Sequence, residues 1–96
     1  MGPRVGGMID ESVLRNFLTD DGRLHTIPTR RAKRLVVLDH LAQSFELGRP
    51  YPEAEVHVIL VRFHPDYAAL RRYLVDDQFL TREENVYWRS GGTVVV

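Results

Sequence analysis

The chain contains no cysteine, which excludes disulfides and thiolate metal sites. It has no excess of either charge, with 13 Lys and Arg against 13 Asp and Glu. It therefore lacks the overall basicity of most nucleic-acid-binding domains. No run approaches the roughly 20 apolar residues of a membrane-spanning helix. The opening MGPRVGGMIDES lacks the apolar stretch of a secretory signal. A cytoplasmic location with no membrane partner is the expectation. Ser12, Ser44 and Ser90 lie in no nucleophile motif, and no glycine-rich phosphate loop occurs. Carboxylate pairs such as Asp76-Asp77 fall at expected helix ends. His57 and His64 share a helical spacing with Asp66 just beyond, but Pro65 breaks the geometry that a metal would need. Neither an enzyme, nor a cofactor, nor a metal site is expected.

What remains is ordinary globular composition. Of 96 residues, 44% are hydrophobic and 27% charged, as in a single folded domain. Residues 1–9 are rich in glycine and are expected to form a flexible tail. The domain should run over 10–89, with a C-terminal tail over 90–96. Charge is uneven along the chain. Arg23, His25, Arg30, Arg31, Lys33 and Arg34 form a band without an acidic residue. A basic band on a neutral domain can still bind a polyanion, with strong salt dependence.

Apolar spacing predicts the elements. Val13, Leu14, Phe17 and Leu18 mark a short helix beginning at Asp10 or Ser12. Asp20-Asp21-Gly22 is a turn. Arg23 to Ile27 alternates and predicts a strand. Thr29 is a candidate cap for the longest helix, about Arg30 to Phe45, whose main buried face is Leu35, Leu38, Leu41, Ala42 and Phe45. Val36 and Val37 point elsewhere, so this helix is either covered on several sides or lends a face to a partner. Gly48 suits a left-handed stop. Pro52 fits the first turn of a helix, whose apolar face is Val56, Ile59, Leu60 and Phe63. Pro65 ends that helix near Phe63 or His64. Asp66 is a good cap for the next, with Tyr67, Leu70 and Leu74 inward. About three residues link the two helices, as in a helix-turn-helix. Phe79-Leu80 and Val86-Tyr87-Trp88 predict a hairpin, with Asn85 as its positive-φ residue.

The predicted order is helix, strand, three helices, two strands. That is an α+β winged helix-turn-helix, in which the strand at Arg23–Ile27 closes the wing sheet. The last helix of such a fold enters a DNA major groove and the hairpin touches the flanking backbone. On that helix Arg71 falls between Tyr67, Leu74 and Val75, so it reads as a structural arginine paired with a carboxylate. Arg72 falls on the opposite side with Ala68 and Ala69. It is either a solvated residue or a phosphate or base contact. Arg82 and Arg89 are placed to reach backbone phosphate, although Glu83 and Glu84 at the tip would repel it. Arg30, Arg31, Lys33 and Arg34 start the long helix, where cations oppose the helix dipole. Two readings of them stand: local ion pairs, with Asp20 and Asp21 among the candidates, or a site for backbone phosphate.

The run GRLHTIPTRRAKRLVVLDHLAQSFELGRPYPEAEV, followed by DYAALRRYLVDDQFLTRE and VYWR, resembles the bacterial family catalogued as domain of unknown function 2087. The resemblance spans about Asp10 to Arg89. It rests on Gly22-Arg23-Leu24, Ile27-Pro28, Lys33-Arg34, Tyr51 with Glu53 and Glu55, and Leu70-Arg71-Arg72 with Leu74-Val75. Three positions depart from the family pattern. A polar residue is more usual where Tyr73 stands, glycine where Gln78 stands, and serine or threonine where Pro52 stands. Members of the family occur alone or joined to helix-turn-helix domains in proteins labelled transcriptional regulators. The resemblance implies a small bacterial regulatory protein and supplies no biochemical activity.

The leading expectation is a DNA-binding or DNA-associated transcriptional regulatory module with double-stranded DNA as partner. Arg72, Ala68, Ala69, Arg82, Arg89, Arg30, Arg31, Lys33 and Arg34 would meet the DNA, and Arg71 and Asp66 would be structural. The alternative is a protein-interaction or dimerisation module on the same scaffold, with a homodimer or another protein as partner. Zero net charge, the acidic hairpin tip, Val36 and Val37, and the Val94–Val96 tail support that alternative.

Overall fold

Two proline-marked turns and two glycine-marked turns divide the chain where the apolar spacing changes. The computed structural model describes residues 11–94. The expected tail 1–9, Asp10 as a helix start, and Val95 and Val96 lie outside the described residues. The elements are α1 (Glu11–Phe17), α2 (Arg31–Ala42), β1 (Tyr51–Pro52), α3 (Glu53–Val61), α4 (Tyr67–Asp76), β2 (Leu80–Glu83) and β3 (Val86–Arg89). This is a small α+β domain of four helices and a three-stranded antiparallel sheet in the order β1-β3-β2.

The third strand corrects the sequence expectation. Residues 23–27 do not form a strand. Leu24 makes one isolated bridge to Leu18, and its N–H donates to the Phe63 carbonyl instead. The place beside β3 is taken by Tyr51–Pro52, with Tyr51 opposite Tyr87 and Pro52 opposite Val86. Gly48, at φ 80°, turns the chain into this strand, a conformation that costs glycine little. Pro52 stands at the sheet edge, where a missing N–H is tolerated. It also fixes the backbone just ahead of α3, so the strand ends after two residues.

The helix boundaries shift for local reasons. Arg30, not Thr29, occupies the cap position of α2, and no side chain caps that end. The helix stops at Ala42 because the next three N–H groups donate to carbonyls three residues back; such tightening is common at helix ends. Helix α3 ends at Val61 rather than near Phe63. Its last carbonyls are drawn away: the Arg23 guanidinium donates to Arg62 O at 2.7 Å and Val61 O at 3.4 Å. The α3–α4 link is therefore residues 62–66, longer than the expected three. Asp66 begins α4 by accepting from the Ala69 N–H at 3.2 Å, a cap worth about 1 kcal/mol. In the hairpin the positive φ falls on Glu84, at 56°, and not on Asn85. A two-residue hairpin turn of the II′ kind carries it on the first turn residue.

The core lies where α2, α3, α4 and the sheet meet. Leu38, Leu41, Phe45, Tyr51, Val56, Leu60, Leu70, Leu74, Leu80 and Tyr87 are all fully buried; each such leucine contributes about 2 kcal/mol. Val37 is fully buried as well, whereas Leu35 is only half-buried. Both α1 and α4 pack on α2. Of the pair Val36 and Val37, Val37 is thus covered within the chain, and Val36 is half-buried against the same core.

Candidate nucleic-acid interface

Helix α4 buries Leu70 and Leu74. The helical period then sends Arg72 to the opposite side. Arg72 is exposed and has no hydrogen-bond or ion-pair partner among the described residues. Ala68 and Ala69, expected to be open beside it, are half-buried.

Arg71 has a different environment one residue away. Its guanidinium lies 3.5 Å from Glu53 Oε2 and contacts His57 Nε2. The other Glu53 oxygen accepts from the Tyr87 hydroxyl at 2.9 Å, and the His57 ring leans on Tyr67 at 4.6 Å. The hydrogen bond from Tyr87 holds the Glu53 carboxyl below the usual glutamate range, helped by Arg71 and His57 and opposed by burial. Burial, together with that same bond, pushes the Tyr87 hydroxyl up. This cluster ties α3, α4 and β3 together. Sequence reasoning assigned Arg71 a carboxylate but did not name Glu53, His57 or Tyr87. The signal was the four-residue spacing of Glu53 and His57 on one helix, which puts both on one face.

The basic band does not act as a unit. Arg23 covers the end of α3, as above. Arg31 is exposed but pairs with Asp77, the residue that ends α4, at 3.1 Å. Arg34 donates to Thr29 O at 3.0 Å and stacks over the Tyr73 ring at 4.4 Å. Tyr73, where a polar residue was expected, is half-buried beneath that guanidinium. Arg30 and Lys33 are exposed and unpaired among the described residues. They stand on the rim of a groove floored by Phe17, Ile27 and Pro28. Among the described residues neither Asp20 nor Asp21 forms an ion pair with Arg30, Arg31, Lys33 or Arg34; Asp21 accepts from the Thr19 hydroxyl, near Arg23.

The hairpin splits in the same way. Arg82 on β2 is exposed, with its Nε donating to Glu84 O at 2.7 Å. Arg89 on β3 is only 8% exposed and cannot reach a phosphate. It donates to Thr93 O at 2.6 Å, Gly91 O at 3.0 Å and Phe45 O at 3.3 Å, with Gln43 Oε1 at 3.5 Å. The correction has a simple cause. β3 is the central strand, so a side chain on its inner face is enclosed. The segment after β3 closes over the same place, with Asp39 of α2 accepting from the Thr93 N–H at 2.7 Å and from the Thr93 hydroxyl at 2.5 Å.

Among the described residues no three His, Asp or Glu side chains are grouped to hold a metal ion. His64 Nδ1 accepts from the Asp66 N–H at 3.0 Å, apart from His57. No helix among them is long and apolar enough to cross a membrane.

These features define a small α+β domain whose α4 carries an exposed arginine without a side-chain partner among the described residues. The chain belongs to the bacterial family described as an uncharacterized protein conserved in bacteria, domain of unknown function 2087, which it matches over residues 23–89. Neither a curated protein nor a solved structure matches it significantly.

Proposed function

We propose that the domain is a winged helix-turn-helix that binds double-stranded DNA as a bacterial regulatory module. The observation that carries the reading is Arg72, an exposed arginine on α4 without a side-chain partner among the described residues. Supporting it is the chain order, in which α4 follows α3 across a short link and is followed directly by the β2–β3 hairpin. In such a fold the second helix of the pair lies in the major groove and the hairpin meets the flanking backbone. Arg72 then reaches a base edge or phosphate, and Arg82 a flanking phosphate. Arg30 and Lys33 are free to hold backbone on either side. Arg31 and Arg34 are engaged within the chain, and Arg89 takes no part.

The small number of free cations sets the strength. About four phosphate contacts on B-DNA give a slope of about −3.6 for log affinity against log salt, and weak binding at physiological salt. Fluorescence anisotropy with a random duplex of about 25 base pairs, across a salt series, tests this directly. A slope near that value, flattened in Arg72→Ala, is the expected result. Absence of binding at low salt would remove the DNA reading for this domain.

A further inference from the structure

Helix α3, Glu53-Ala-Glu-Val-His-Val-Ile-Leu-Val61, is apolar on both sides. Val56 and Leu60 face the core and are fully buried. On the other side Ala54, Val58 and Val61 follow one another at helical spacing, and all three are exposed, Val58 at 54% and Val61 at 41%. Val86, 40% exposed, stands opposite the exposed Pro52 in the sheet, beside the start of the same helix. Of the five large hydrophobics that are exposed among the described residues, two therefore lie in this stripe, and Val86 stands in the strand opposite Pro52, just ahead of its N-terminal end. Single exposed valines are ordinary; a patch is a sign of an interaction surface.

We propose that this face of α3 binds a second copy of the chain, the two helices packing antiparallel about a two-fold axis that passes between Val58 and Ile59. The charges at its margin select that partner and that direction. Glu55 and Arg62 lie seven residues apart on one flank of the stripe, equally far along the helix from the axis. Antiparallel pairing about a two-fold sets like flanks together, so Arg62 of each copy meets Glu55 of the other. Arg62 is exposed, and its guanidinium has no partner among the described residues. Glu55 already accepts from Arg49 at 2.7 Å, and a carboxylate has room for a second donor. Antiparallel helices also place each acidic N-terminal turn against the other's C-terminal end, which suits their dipoles. With zero net charge, no long-range repulsion opposes self-association.

Ala54, Val58 and Val61 with their flanking charges are few beside the roughly 20–30 residues a side of a standard interface, so a micromolar or weaker dimer is expected. Sedimentation velocity on the full chain, from about 1 μM to about 1 mM, spans that range. A reversible monomer–dimer equilibrium is the expected result. Val58→Glu should raise its dissociation constant by at least about tenfold, since the charge enters the interface twice. Its circular dichroism and urea midpoint should match the parent, because Val58 has no role in the core. Arg62→Glu should weaken the dimer, and Arg62→Glu combined with Glu55→Arg should restore it. A chain that stays monomeric at the highest concentration, or a dimer that Val58→Glu leaves untouched, would overturn the proposal. Failure of the double exchange to restore association would overturn the antiparallel arrangement. Arg72 is not on this surface, so loss of the dimer and loss of DNA binding are read separately.

Discussion

The inner face of the hairpin and the outer face of α4 both carry arginine, with opposite outcomes. Arg89 sits on the central strand and is enclosed by α2 and by the segment that follows it. Its donors are taken by carbonyls of Phe45, Gly91 and Thr93. Arg72 sits on the exposed side of α4, and its donors have no partner among the described residues. The difference is one of position in the layers, not of residue type. A guanidinium near backbone carbonyls is consumed by the fold, and one on an uncovered helix face remains for something outside it.

The comparison can be broken most easily at Arg89. Arg89→Ala leaves the carbonyls of Phe45 and Gly91 without this donor in a largely enclosed site, and leaves Thr93 O with Gln43 Nε2 alone. A loss of about 3 kcal/mol in urea unfolding is expected, the scale for breaking a buried charged hydrogen-bond network. A loss below about 0.5 kcal/mol, the level of a plain surface substitution, would return Arg89 to the set of free cations. Next in size is Gly91→Ala. A Cβ built there would lie 2.3 Å from the Gln78 carbonyl oxygen, so backbone has to move. About 2 kcal/mol is the expected cost in the same measurement.

These residues also mark how far the sequence could be read. Four helices and the hairpin follow from apolar spacing, proline stops and the Asp66 cap, because each of those signals is local. The inward Arg71 and outward Arg72 follow from the helical period alone. The third strand was misplaced because strand pairing is a tertiary choice. Arg23–Ile27 has the better alternation, but Tyr51–Pro52 has the position beside β3. The fate of the basic band was equally hidden. Arg31–Asp77 and Arg34–Tyr73 join residues about 40 positions apart, and no spacing rule sees across that interval. Arg89 was misjudged because β3 proved central, which only the sheet order decides.

A smaller effect sharpens the comparison from the side of α4. Gln78 follows that helix at φ 68°, a backbone conformation that favours glycine. Gln78→Gly should stabilise the domain by about 1 kcal/mol, by relieving a left-handed conformation that side chains disfavour. An unchanged or lowered urea midpoint would show that the Gln78 side chain makes a compensating contact. Smaller still is the acid response of Glu53, a partly exposed carboxylate. Its folded-state pKa is depressed, so its stabilising share is complete above the ordinary glutamate value and is lost as pH falls through the folded one. Glu53→Gln should flatten stability against pH on that acid side, and an unaltered acid limb would mean that the Tyr87–Glu53–Arg71 link contributes nothing.

The least effect on folding is expected at Arg72, and there the comparison matters most for function. Arg72→Ala should change stability by no more than about 0.5 kcal/mol, because no described residue depends on the guanidinium. If it holds one phosphate, the substitution weakens binding to every duplex alike and lowers the salt slope by about 1. Arg72→Lys separates the two roles. Lysine keeps the charge but not the planar fork. Retained affinity on random duplex, with the salt slope of the parent, would assign Arg72 to the backbone. Retained non-specific affinity with lost discrimination between selected and random duplexes would assign it to a base edge. A variant indistinguishable from the parent in all these respects, for both Ala and Lys, would leave Arg72 a solvated residue, and the contrast with Arg89 would then be one of burial alone.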